Sequence, residues 1–120
     1  MASGRRWKVV FYTTEAGRCP VLEAIRGLPK TDRVEVGQTL RLVQEEGPGI
    51  GMPFTEPVTG ELSVIRVRVG RTRWRLFFLA HLGTELVILH MFAKKTRALP
   101  QREIETAERR RRDWLHGEDK

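Results

Sequence analysis

The sequence predicts an α+β fold in which a small, mainly antiparallel sheet packs against two N-terminal helices and one C-terminal helix. Three β-branched and aromatic segments follow one another between residues 62 and 92, separated by short turns at Gly70 and Gly83. Two segments with roughly helical spacing of apolar residues precede them, and a charged segment with a narrow apolar stripe follows. The expected order is β-α-α-β-β-β-α. A length of 120 residues suits a single domain over residues 1–120.

The N-terminal half predicts one strand and two helices. Trp7–Thr13 is short, β-branched and aromatic, as expected of a first strand. Pro20 can occupy the first position of a short helix over Val21–Leu28. A second helix is expected from an N-cap at Thr31 to the Glu-Glu-Gly sequence that ends at Gly47. An internal glycine and two β-branched residues leave a strand as the alternative there.

The C-terminal half predicts a connector, three strands and a helix. Residues 47–60 are rich in glycine and proline, so no regular structure is expected beyond an edge strand at about Met52–Val58. The strands and the helix are expected at Leu62–Val69, Arg73–Ala80, Glu85–Phe92 and Pro100–Leu115.

The composition favours a soluble protein of the cytoplasm. Apolar residues make up 40% of the chain and charged residues 31%, which is ordinary for a globular domain. The lone Cys19 has no disulfide partner and no neighbour at metal-ligand spacing, so we expect no oxidising compartment, metal or other cofactor. The apolar run Val9–Tyr12 is too short for a secretory signal, and no segment reaches transmembrane length. No membrane association is therefore expected.

The positive charge is concentrated in one stretch. Leu62–Arg97 contains eight basic residues and one acidic residue, whereas the rest of the chain contains equal numbers of both. The formal net charge of +7 therefore belongs to the three predicted strands and the loop after them. The eight residues are Arg66, Arg68, Arg71, Arg73, Arg75, Lys94, Lys95 and Arg97. Such a patch is typical of phosphate binding, above all in nucleic acids, and a solvated polar sheet face is the alternative.

Pairing of the first two of these strands brings four arginines to one sheet face. A two-residue turn at Gly70-Arg71 pairs Arg66 with Arg75 and Arg68 with Arg73. Directly opposed residues share a face, so the four guanidinium groups are expected side by side. The opposite face is expected to carry Ile65, Val67, Trp74 and Leu76.

The third strand is expected to add a histidine to this group. A second two-residue turn, at Leu82-Gly83, places His90 opposite Arg75. A histidine in an apolar strand is more often a hydrogen-bonded core residue, and this pairing is what favours a functional role. Lys94, Lys95 and Arg97 follow the strand and lie at the edge of the patch. Apolar residues on the same face indicate that the last helix covers part of it, namely Val64, Phe77 and Ile88.

Several short motifs occur in an order that is typical of one toxin family. They are Gly17-Arg18-Cys19-Pro20-Val21, Ile65-Arg66, Trp74-Arg75, Phe92-Ala93-Lys94-Lys95-Thr96, Leu99-Pro100 and Glu103-Ile104 followed by Ala107. Together they resemble the phage-related HigB-type toxins of the RelE/ParE superfamily over nearly the whole chain. One position departs from the pattern, because many relatives carry a glutamate two residues before the strand arginine, where this chain has Val64.

The resemblance implies a RelE-like fold and the toxin of a type II toxin–antitoxin system. Such a toxin is a metal-independent endoribonuclease, an mRNA interferase that cleaves mRNA, usually on the ribosome, and so inhibits translation and growth. Its implied partners are mRNA, the ribosome and a cognate helix-turn-helix antitoxin. Attack of a 2′-OH on the adjacent phosphorus needs a base, an acid and cationic stabilisation.

Each basic residue of the patch then has an expected role. Arg66 and Arg75 are expected to grip the scissile phosphate, since guanidinium groups match phosphate oxygens bidentately. Lys94 is expected to bind the backbone or stabilise the transition state, and His90 to transfer a proton. The remaining RNA-binding candidates are Arg68, Arg73, Lys95 and Arg97.

Two other functions fit the same sequence. A ParE-like toxin would share the fold and poison DNA gyrase without catalysis. A plain nucleic-acid-binding module would bind with steep salt dependence and would not arrest growth.

Overall fold

The computed structural model describes residues 6–118, and within them five strands and three α-helices follow one another. In chain order these are β1 (Lys8–Phe11), α1 (Pro20–Arg26), α2 (Lys30–Glu46), β2 (Thr55–Thr59), β3 (Leu62–Val69), β4 (Thr72–His81), β5 (Glu85–Ala93) and α3 (Gln101–Glu118). A short 3₁₀ turn at Pro48–Ile50 lies between α2 and β2. The predicted α+β class and element order are confirmed, and the additional strand β2 is the edge strand expected in the glycine-rich connector.

The strands form one mixed sheet in the order β1-β5-β4-β3-β2. Strand β1 runs parallel to β5, and the other neighbouring strands are antiparallel. On one face, Val21 of α1 and Val36 of α2 are buried against Ile65. On the other face, Ala107 of α3 is buried against Phe77. The sheet thus has a helix pair on one side and α3 on the other, as expected of a small RelE-like fold.

Helix α2 begins two residues earlier than expected. Lys30 is its first residue and Pro29 occupies the N-cap position, with a φ of −54° and a ψ of 152°. The prediction of Thr31 as the N-cap was wrong because proline already supplies a suitable φ for the entry to a helix. Pro20 lies in the first turn of α1, as predicted.

The hairpin of β3 and β4 has the predicted register. Arg66 pairs with Arg75 and Arg68 with Arg73, across a two-residue turn that follows Val69. Gly70 in this turn has a φ of +58°, a conformation that favours glycine. The arginine side chains of both strands therefore share the face of the sheet that α3 partly covers.

The hairpin of β4 and β5 has a different register from the predicted one. Its loop contains three residues, 82–84, so that His81 pairs with Glu85, and a bulge shifts the pairing again between Phe77 and Phe78. Together these two shifts place Phe92 opposite Arg75, and His90 opposite Phe77. The predicted pairing of Arg75 with His90 was therefore wrong. Ile88 pairs with Phe78 on the face covered by α1 and α2, so its predicted face was wrong as well.

Candidate nucleic-acid interface

Arg66 and Arg75 lie side by side in the middle of the β3–β4 hairpin. Arg75 is only 5% exposed, and the Arg66 side chain is 26% exposed. Burial lowers the pKa of Arg75, and the positive charge of Arg66 lowers it further. Like charges that face each other across a strand pair destabilise a sheet, and burial enlarges the effect. The pair therefore creates a strongly positive site at a cost to the fold.

Two cations of this site, Arg75 and Lys94, donate to neutral acceptors. Arg75 Nη1 donates to the Trp74 carbonyl oxygen at 3.1 Å, and Lys94 Nζ donates to the Arg97 carbonyl oxygen at 2.7 Å. Within residues 6–118, neither Arg75 nor Lys94 forms a salt bridge. Their charges are thus left uncompensated by the fold.

Arg66 is also only partly satisfied. Its Nη1 lies 3.1 Å from the Met52 sulfur, and its buried Nε has no hydrogen-bond partner among the described residues. The nearest carboxylate oxygen, from Glu56, is 3.7 Å from that Nε. We call Arg66, Arg75 and Lys94 the arginine cluster. Charge-assisted hydrogen bonds to a phosphate would satisfy groups that the fold leaves open.

A cavity of about 430 Å³ contains the arginine cluster. The other residues that line it come from the connector, from β2, from β3, from the segment before α3 and from α3 itself: Met52, Glu56, Pro57, Val58, Val64, Arg97, Ala98, Leu99 and Ile104. Burial lowers the pKa of Lys94, and the nearby charges of Arg75, Arg73 and Arg66 lower it further. The cavity has the size of a small-ligand site and is lined by several positively charged side chains.

A second cavity, of about 360 Å³, shares Arg66 and Arg75 with the first. It also contains Arg68 and Arg73, two further members of the predicted set, and it reaches Glu35 on α2. The paired arginines therefore stand between two concave surfaces. The backbone of a bound nucleic acid can pass from one cavity to the other over this arginine pair, so that successive phosphates contact basic groups in both cavities.

The segment after β5 is anchored next to this site. The Lys94 backbone N–H donates to the Arg73 carbonyl oxygen at 2.7 Å, which ties the segment to the start of β4. Lys94 and Arg97 both line the first cavity. Lys95 is exposed and lines neither cavity. The structure thus places the two adjacent lysines differently, with Lys94 in the first cavity and Lys95 outside both.

His90 lies elsewhere, under α3. The His90 Nε2 atom is 2.6 Å from Oε1 of Glu103. On the other side of the ring, Arg110 Nη1 lies 3.4 Å from the His90 Nδ1 atom. The same Nη1 donates to the Leu89 carbonyl oxygen at 3.0 Å. A guanidinium can only donate, so Nδ1 is the acceptor and Nε2 carries the proton toward Glu103. We call His90, Glu103 and Arg110 the histidine cluster. His90 borders a separate cavity of about 150 Å³ and does not line either arginine cavity.

Glu56 is a site residue that the sequence reasoning missed. It pairs with Val64 across β2 and β3, and its carboxylate enters the first cavity beside Arg66. The sequence signal was a carboxylate within the expected edge strand. Its position could not be derived, because the pairing of β2 with β3 shifts between Pro57 and Thr59.

Comparison with known proteins identifies the family of the chain. Residues 23–112, most of the chain, match a family model described as Phage derived protein Gp49-like (DUF891). The chain belongs to the Gp49-like family. This is a RelE/toxin-like family, and it is associated with the toxins of toxin–antitoxin systems. A search of curated proteins finds no significant match to this Gp49-like chain. None of the helices within residues 6–118 is long and apolar enough to cross a membrane.

Proposed function

We propose that this Gp49-like protein is a HigB-type toxin that cleaves mRNA on the ribosome and thereby stops translation and growth. The observation that carries the proposal is the arginine cluster, whose three cations line one cavity and in which Arg75 and Lys94 donate to neutral acceptors. A fold without an anionic ligand would gain stability by replacing one of the paired arginines. An RNA phosphate is the ligand that this arrangement fits best.

The proposed reaction is attack of a 2′-OH on the adjacent phosphorus, without a metal ion. Arg66 and Arg75 hold the non-bridging oxygens of the scissile phosphate, and Lys94 faces the charge that develops on the phosphorane. The neighbouring backbone is bound by the remaining basic residues of the patch, namely Arg68, Arg73, Lys95 and Arg97. Preorganised cations in a partly buried cavity stabilise such a transition state more strongly than exposed ones.

The proposal places His90 outside the reacting groups. Both of its ring nitrogens already face partners, Glu103 and Arg110. Its role is to fix α3 against β5, and α3 follows the segment that carries Lys94 and Arg97. The proton-transfer role expected from its sequence position is therefore not part of the mechanism we propose.

A toxin of this kind works in the cytoplasm and needs an inhibitor in the same cell. The proposed partner is a cognate antitoxin with a helix-turn-helix domain, encoded beside the toxin. Co-expression of that neighbouring gene should restore growth to cells that express the toxin.

Controlled expression of Arg66→Ala/Arg75→Ala tests the proposal. Wild-type expression should arrest growth and generate new mRNA 5′ ends that primer extension detects, and the double variant should do neither. Arg102→Ala is the matched control, because Arg102 is a highly exposed α3 residue that lines neither arginine cavity. Full toxicity of a soluble, folded double variant would refute the site. Wild-type arrest with intact mRNA and DNA damage would instead indicate a gyrase poison, and RNA binding without arrest a plain binding module.

A further inference from the structure

The β2–β3 pairing brings one carboxylate to the arginine cluster. Glu56 lies directly opposite Val64, and residues opposed in this way share a face of the sheet. Val64 is buried and has no proton acceptor, and Arg66 lies two residues further along β3 on the same face. Glu56 therefore reaches the phosphate site from the neighbouring strand.

The contacts of Glu56 leave its carboxylate available. Its Oε1 is 3.7 Å from Arg66 Nε, beyond hydrogen-bond distance, and the side chain is 50% exposed. Its negative charge also reaches Arg75 and Lys94, where it opposes the lowering of pKa that burial and the neighbouring cations cause. The carboxylate is thus close to all three cations without a tight ion pair to any of them.

Three other acidic groups near this face are engaged elsewhere. Glu103 binds His90, while Glu61 and Glu108 both bind Arg111. Of the described residues that line the cavity of the arginine cluster, Glu56 is the one with a carboxylate. Glu35 lines the second cavity, which also contains Arg66 and Arg75 but not Lys94. Among the described residues, the carboxylate that lines one cavity together with all three cations is therefore Glu56.

We infer that Glu56 is the general base of the RNA cleavage reaction, an assignment that rests on the proposed function. The carboxylate takes the proton of the 2′-OH as the 2′-oxygen bonds to phosphorus and the bond from phosphorus to the 5′-oxygen breaks. The departing 5′-oxygen takes a proton from the Lys94 ammonium group. The products are a 2′,3′-cyclic phosphate and a 5′-OH end, and exchange with water returns both protons.

A cleavage assay on the full chain tests this assignment. A defined mRNA is offered alone and in a reconstituted translation reaction, and rates are measured across pH for the wild type, Glu56→Gln and Glu105→Gln. Glu105 is an exposed α3 carboxylate outside the cavity and serves as the control. Binding is measured in parallel with the same mRNA carrying a 2′-deoxy nucleotide at the cleavage position.

Glu56→Gln should slow cleavage by about 100-fold or more, the usual contribution of a general base. It should also remove the acidic limb of the pH–rate profile and leave binding of the 2′-deoxy mRNA within about threefold of wild type. Glu56→Ala should regain activity with added formate, because the exposed cavity admits a small carboxylate.

Three results would overturn the assignment. Cleavage by Glu56→Gln at nearly the wild-type rate, with an unchanged pH profile, removes Glu56 as the base and leaves the proposed function intact. A parallel loss of binding and rate makes Glu56 a binding residue instead. Intact mRNA with the wild-type protein in both formats removes the proposed function, and the base with it.

Discussion

The two polar clusters on the α3 face of the sheet differ in how their charges are compensated. The histidine cluster is closed, because its carboxylate, imidazole and guanidinium bind one another and a backbone carbonyl under α3. The arginine cluster is open, because its cations contact carbonyl oxygens and a thioether, and the Glu56 carboxylate stays 3.7 Å from Arg66 Nε. Both clusters are partly buried, where an unsatisfied charge is costly.

This difference separates a structural role from a functional one. A fully satisfied buried network rigidifies the fold around it. A set of cations without close counter-ions costs stability, and the cost is tolerated where a ligand uses the charges. Substitutions at the two clusters test this difference. At the arginine cluster they should lower activity without lowering stability, and at the histidine cluster they should lower stability without lowering the activity of the folded protein.

The largest effect is expected for Arg75→Met, which keeps an unbranched apolar stem and removes the guanidinium charge. Loss of one preorganised donor should lower the rate of mRNA cleavage by about 100-fold or more. The free energy of unfolding should stay the same or rise by about 0.2–1 kcal/mol, since the repulsion from Arg66 disappears. Cleavage assays and urea denaturation measure the two quantities. A marked loss of stability would show that Arg75 supports the fold.

The reverse is expected for Arg110→Met in the histidine cluster. This change leaves the Leu89 carbonyl oxygen, at the β5 bulge, without its donor, and it removes the guanidinium that stacks on the Tyr12 ring at 5.6 Å. The free energy of unfolding should fall by about 1–3 kcal/mol, the cost of an unsatisfied buried group. Cleavage by the protein that remains folded should stay near the wild-type rate. Loss of activity at full stability would contradict a purely structural role.

A pH-dependent loss of stability is the next effect in size. Burial keeps the pKa of His90 below its ordinary value of 6.5, and the positive charge of Arg110 lowers this pKa further. The hydrogen bond to Glu103 acts in the opposite direction and offsets part of the lowering. The unfolded chain therefore binds a proton that the folded protein excludes, so the free energy of unfolding falls as the pH drops below 6.5. Denaturation at about pH 7.5 and about pH 5.5 measures this loss.

The variant His90→Gln should remove this dependence, and His116→Gln, which changes an exposed histidine near the end of α3, should not. The hydrogen bonds of Glu23 to Arg18 and of Glu108 to Arg111 lower the pKa values of these carboxyl groups from 4.5. The stability that these two pairs contribute is therefore lost only at a pH below 4.5. An equal loss of stability in wild type and His90→Gln would refute the assignment to His90.

The sequence predicted the open cluster better than the closed one. The arginine pair follows from one short turn, because a two-residue loop containing Gly70 determines the whole β3–β4 register. The position of His90 depends on a three-residue loop and a bulge, neither of which has a strong sequence signal. Glu56 depends on a further irregular pairing, within a segment rich in glycine and proline. Errors of register accumulated with each irregular turn, whereas the α+β class required only the periodicity of the elements.

The smallest effect is expected for Lys95, and comparing it with Lys94 tests where the arginine cluster ends. Lys95 is exposed and lines neither arginine cavity, whereas Lys94 lies in the first cavity beside Arg75. Lys95→Ala should weaken RNA binding only through the loss of one distant charge, lowering the slope of log affinity against log salt by about 0.7 or less. Lys94→Ala should also slow cleavage of bound mRNA, because its charge faces the reacting phosphate. Equal rates of cleavage for the two variants would mean that the cavity does not define the reacting site.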